Sequence, residues 1–80
     1  MMTHNWIRLE SAWADAVGPD TAAQAKPTSL VQGLLTVRVA NSCLIQELTY
    51  RKRSLLDELC RRVPDLKVEG LRLRAGVIKQ

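Results

Sequence analysis

Three consecutive cations, Arg51, Lys52 and Arg53, follow an aromatic ring, Tyr50, inside a segment that otherwise carries an apolar stripe. Further along, Arg72 and Arg74 alternate with Leu71 and Leu73, and Arg38 stands between Val37 and Val39 in the same way. Guanidinium and ammonium groups arranged like this hold phosphates, which positions a polyanion without reading its bases. The residues offer little means for other chemistry. His4 is the single histidine and lies near the start, while Asp15, Asp57 and Glu58 fall on outward helix positions with no nucleophile or metal partner at a suggestive spacing. A phosphate-cradling GxxxxGK[ST] loop is absent, so ATP hydrolysis by this chain is not expected, and neither is a cofactor or a metal ion. Cys43 and Cys60 lack the paired spacing of a zinc or redox site and are expected to be small buried apolar residues.

The charge balance agrees with the phosphate reading. Twelve Lys and Arg against eight Asp and Glu give a net charge of +4 and a pI near 9.6, which favours polyanionic partners. Eighty residues suit one compact unit with a core over about residues 5 to 76, whose burial supplies only roughly 3–5 kcal/mol. The opening residues lack the basic start and apolar run of a signal peptide, and no apolar stretch is long enough to cross a bilayer, so the expected location is the cytosol.

The elements that position the cations can be read from periodicity. Trp6, Leu9, Trp13 and Val17 recur at helical spacing over residues 5 to 17, with Asn5 as the N-cap and Gly18-Pro19 as the stop. That spacing predicts a core role for Trp13 and, less completely, for Trp6. Tryptophan is also an interface residue, so Trp6 and Tyr50 are the candidate partner-binding aromatics, with Leu66, Val77 and Ile78 as a further small contact surface. Thr21 to Ala25 adds a helical turn that Lys26-Pro27 should end. Thr28 to Val31 reads as a strand, Gln32-Gly33 as a tight turn, and Leu35, Val37 and Val39 as the buried alternation of a second strand that leaves Thr36 and Arg38 on the other face.

After an Asn41-Ser42 cap, Leu44, Ile45, Leu48, Leu55, Leu56, Leu59 and Val63 form one apolar stripe that Pro64 closes. Stepping about 100° per residue places Lys52 near the middle of that stripe, where burial of its charge is costly, so a break is predicted between Tyr50 and Ser54. Val68 to Ala75 reads as a third strand with Gly70 absorbing a bulge. Arg72 and Arg74 then share a face, joined by Arg38 if the second and third strands are neighbours. The fold class is α+β: a three-stranded mixed sheet with helices packed on one face, in an order, α-β-β-α-α-β, that resembles that of a type II KH domain.

Trp13-Ala14-Asp15-Ala16-Val17-Gly18-Pro19, then Leu30-Val31-Gln32-Gly33-Leu34-Leu35-Thr36-Val37-Arg38-Val39, then Ser42-Cys43-Leu44-Ile45-Gln46-Glu47-Leu48 carry a resemblance. Together, from about Trp13 to Gly76, they resemble the DciA family of bacterial replicative-helicase partners, whose domain is KH-like. No single piece is diagnostic; order and spacing carry the likeness. It implies a non-enzymatic adaptor that binds single- or double-stranded DNA with weak sequence preference and helps load or activate the replicative helicase. Members of that family commonly carry a flexible extension beside the domain, of which this stretch has almost none. A KH domain grips nucleotides with a GxxG loop between its central helices; the equivalent place here is Tyr50-Arg51-Lys52-Arg53, where charge contacts replace backbone contacts. Two other readings fit the same residues: a protein–protein module that forms a homodimer, and an RNA-binding KH-like module.

Overall fold

The computed structural model describes residues 4–76, so Val77 and Ile78, placed in a contact surface by sequence, lie outside the described residues. The first helix, α1 (His4–Val17), buries Leu9, Ala12, Trp13 and Val17 on one face, as the spacing requires, with Trp6 half-buried against the same core. Asn5 lies inside its first turn and does not cap it. At Gly18 the backbone turns to a φ of 94°, a conformation that favours glycine, and the helix stops. Pro19, with its φ already set, opens the short helix α2 (Pro19–Ala22). The expected turn at Thr21 to Ala25 therefore sits earlier, and Lys26-Pro27 does not terminate a helix. The extended bias of a residue before proline is expressed as a strand, β1 (Ala25–Val31), three residues longer at its start than expected.

β1 pairs antiparallel with β2 (Leu34–Val39) through a turn in which Gln32 and Gly33 both have positive φ, 50° and 82°. Such a turn matches the twist of the two strands. Leu35, Val37 and Val39 point inward and are fully buried. Asn41 caps α3 (Ser42–Tyr50), its Oδ1 accepting the Leu44 N–H at 2.8 Å. The helical stripe then breaks at Arg51 (φ −94°, ψ 5°), and α4 (Lys52–Arg62) follows as a separate helix. The break keeps Leu48, Leu55 and Leu59 in the core while Lys52 stays half-buried at its edge. A 3-10 turn over Pro64–Leu66 leads to β3 (Gly70–Ala75), which joins the sheet parallel to β2 and gives the order β1-β2-β3.

The predicted bulge at Gly70 is absent, because the strand begins there and Val68 is buried ahead of it in irregular chain. The sheet's register shift instead falls in β1, between Pro27 and Ser29. One hydrophobic core joins the inward faces of all three strands to α1, α3 and α4. Among the described residues no helix covers the outward face of the sheet.

Candidate nucleic-acid interface

The register of the sheet builds the site. Lys26 on β1 is opposite Arg38 on β2, and Arg38 is opposite Arg74 on β3, so three cations stand in one row across the three strands. Adjacent strands lie about 4.8 Å apart, so the row spans roughly 10 Å. Arg72, two residues before Arg74, is opposite Thr36 and adds a fourth cation to the same face. All four are exposed. Thr28, Ser29 and Thr36 supply neutral polar groups between them, while Val31 and Leu34 form an exposed apolar end beside the hairpin turn. No acidic residue occupies this face, and among the described residues none of its cations is ion-paired. The Arg38 stem lies over Gly76, where an added Cβ would sit 3.0 Å from its Cδ. An uncompensated cluster on a solvent-facing sheet attracts phosphate oxygens, each held by charge-assisted hydrogen bonds.

The second group is divided by the structure. Arg51, at the break between α3 and α4, turns toward α1 and its Nη2 donates to the Ala16 carbonyl at 3.3 Å, which satisfies a half-buried carbonyl in the last turn of that helix. Lys52 and Arg53 face the other way, with Tyr50, into a recess of about 690 Å³ beside Leu56 and Val68. Asp57 and Glu69 line that recess as well, so its two cations are matched by two acids. The sheet face thus carries four cations without an acid, whereas the two cations of the recess stand beside two acids.

Other sequence candidates fall in structural roles. Trp13 is buried and its Nε1 donates to the Ala25 carbonyl at 2.8 Å. Tyr50 is 82% exposed. Asp15 and Glu58 both pair with Arg62, at 3.6 and 2.8 Å, joining α1 to α4. Cys43 and Cys60 are exposed, which corrects their expected burial: Cys43 sits on the outward side of the first turn of α3, and Cys60 donates its thiol to the Val68 carbonyl at 3.2 Å. No group of three or more His, Cys, Asp or Glu side chains converges among the described residues. No helix among them is long and apolar enough to cross a membrane.

Sequence reasoning missed Lys26, whose signal was present in the Ala25-Lys26 alternation but hidden by the proline that follows. It also missed a bidentate pair in which Arg8 donates to both Asp65 oxygens, at 2.7 and 2.9 Å, and fixes the turn before β3 to α1. The hydrogen bond from Arg8, opposed only by partial burial, holds the Asp65 carboxyl below the usual carboxylate range.

A family model described as "Dna[CI] antecedent, DciA" matches residues 3–73 of the chain. The chain belongs to the DciA family. The match runs from the start of α1 into β3, so it includes Arg38, the Tyr50 to Arg53 junction and Arg72. The DciA family is associated with the replicative helicase and its loading, which sets the process in which this chain takes part. No curated protein matches it.

Proposed function

We propose that this DciA-family chain is a non-enzymatic DNA-binding adaptor that helps the replicative helicase engage DNA in the bacterial cytosol. The observation that carries the reading is the cation row Lys26-Arg38-Arg74 with Arg72 beside it, on an open sheet face without an acid. These side chains hold phosphates; Ser29 and Thr36 donate hydroxyl hydrogen bonds between them, while the Thr28 hydroxyl donates to the Thr36 carbonyl at 3.2 Å. Recognition is electrostatic, so base preference is weak and the partner can be single- or double-stranded. Lys52 and Arg53 beside Tyr50 form a secondary contact, and Arg51 holds the junction in place. The element order α-β-β-α-α-β, with a short helix added after the first, supports a single KH-like unit in which that junction replaces the GxxG loop. Exposed Tyr50 and half-buried Trp6 are the partner-facing aromatics for the helicase.

The test compares binding of labelled DNA by the wild-type chain, R38A/R72A/R74A and R51A/K52A/R53A, with a helicase pull-down on the same three proteins. The sheet-face variant is expected to lose most DNA affinity and the junction variant less. Absence of DNA binding by the folded wild-type protein at low salt overturns the reading. The second reading, a protein–protein module that pairs through an apolar surface, is favoured by Val31, 62% exposed at the end of the sheet face, and predicts dimerisation that salt barely alters.

A further inference from the structure

The two edges of the sheet are treated differently. At the β1 edge, the Trp13 indole takes the outward carbonyl of Ala25, and Pro27 has no N–H to offer. That edge is blunted. At the β3 edge nothing equivalent occurs. Gly70 N–H donates to Gly33 and Gly76 N–H to Val39, both at 3.0 Å, so in the alternating parallel ladder Gly70, Arg72, Arg74 and Gly76 direct their backbone groups toward β2. The N–H and C=O groups of Leu71, Leu73 and Ala75 therefore point away from the sheet. Among the described residues no group bonds to them. The strand has no proline and no bulge.

We propose that β3 is a docking edge for an extended acidic segment of a partner protein, which adds to the sheet as a fourth strand. Backbone pairing would use Leu73 and Ala75, since Leu71 is buried at the start of the strand, in the mode of main-chain recognition used in strand addition. Charge complementarity selects the occupant. On the open face, outward side chains of the added strand lie next to Arg72 and Arg74, with Arg38 one strand further, so Asp or Glu at alternate positions is favoured. On the inner side the neighbouring recess offers Leu56 and Val68, and its Lys52 and Arg53 are matched by Asp57 and Glu69, which suits apolar residues at the positions between. A second copy of this chain is the disfavoured occupant, because β3 against β3 sets arginines opposite arginines. Because the same arginines face the proposed nucleic-acid surface, the acidic strand and DNA compete.

The experiment titrates a labelled peptide of alternating Glu and Val against the wild-type chain, with a Lys-Val peptide as the control, and compares A75P and R72A/R74A. Proline at 75 removes an outward N–H while leaving the ladder to β2 intact. The Glu-Val peptide is expected to bind and the Lys-Val peptide not; A75P should weaken peptide binding at least tenfold yet leave DNA binding unchanged, whereas R72A/R74A should weaken both. In the wild-type protein, hydrogen exchange at the Leu73 and Ala75 amides should slow when the peptide is bound, a readout that needs no variant. No peptide binding at low salt, or binding that leaves those amides unprotected, overturns the proposal. Failure of peptide binding with DNA binding retained leaves the adaptor reading standing.

Discussion

Replacing Arg38, Arg72 and Arg74 together with Ala removes three of the four cations on the outward sheet face and leaves Lys26. If each cation neutralises one phosphate, four contacts give a slope of log K against log salt of roughly −2.8 for single strands and −3.6 for duplex. A fourfold rise in salt from about 50 to 200 mM then weakens wild-type binding roughly 50-fold for single strands and 150-fold for duplex. With one sheet-face contact left, that face's share of the single-strand slope falls to about −0.7 and the same change in salt weakens its contribution only about threefold. The substituted side chains are all exposed, so the fold should survive. Fluorescence anisotropy across a salt series gives both slopes, and circular dichroism checks the fold. A folded triple variant whose slope equals the wild-type slope would refute the assignment of phosphates to this face.

Three further outcomes test the framework that carries the face. Trp13→Phe removes the indole donor and leaves the Ala25 carbonyl buried and unpaired, with a small cavity beside it, so urea unfolding should show a loss of about 2–4 kcal/mol. Gly33→Ala forces a φ of 82° on a residue with a Cβ, at about 1–2 kcal/mol, and brings that Cβ within 3.1 Å of the Lys67 carbonyl. Gly18→Ala, where nothing lies within 4 Å, should lower the urea midpoint less. The Arg8 partnership lowers the Asp65 pKa, so its stabilisation is present above the unfolded carboxylate value of about 3.9 and is lost as pH falls through the folded value. The difference in unfolding midpoint between wild type and Asp65→Asn should therefore be constant near neutral pH and close on acidification below about pH 4.

Some of this was legible in sequence because local chemistry and tertiary packing agree. Gly33 supplies the positive φ the hairpin turn needs, and Leu35, Val37 and Val39 alternate without interruption. The helix break was visible because a lysine stands where the stripe has no room for one; the chain resolves the conflict at Arg51, the residue before it. What could not be read depends on partners remote in sequence. Ala25 to Pro27 has poor strand propensity and is extended because β2 and the Trp13 indole satisfy its backbone. Cys43 and Cys60 look apolar by type, yet their faces of α3 and α4 turn to solvent once Leu48, Leu55 and Leu59 set the helix phases. At the site, Arg72 and Arg74 were legible as a pair, while the place of Lys26 depended on the unforeseen start of β1. The division of Arg51 from Lys52 and Arg53 depended on where the last turn of α1 ends.

The in-register cations also set an opposition within the unbound molecule. Lys26 against Arg38 and Arg38 against Arg74 are like charges on neighbouring strands, each pairing destabilising, and no acid on the face offsets them. Salt screens that repulsion and firms the free sheet, while the same salt competes with a bound polyanion. The free fold and the complex therefore respond to ionic strength with opposite signs. A polyanion that occupied the face would relieve the repulsion at its source, so binding would tighten the attachment of β3 to β2, and the last strand among the described residues would be held most firmly with the face covered.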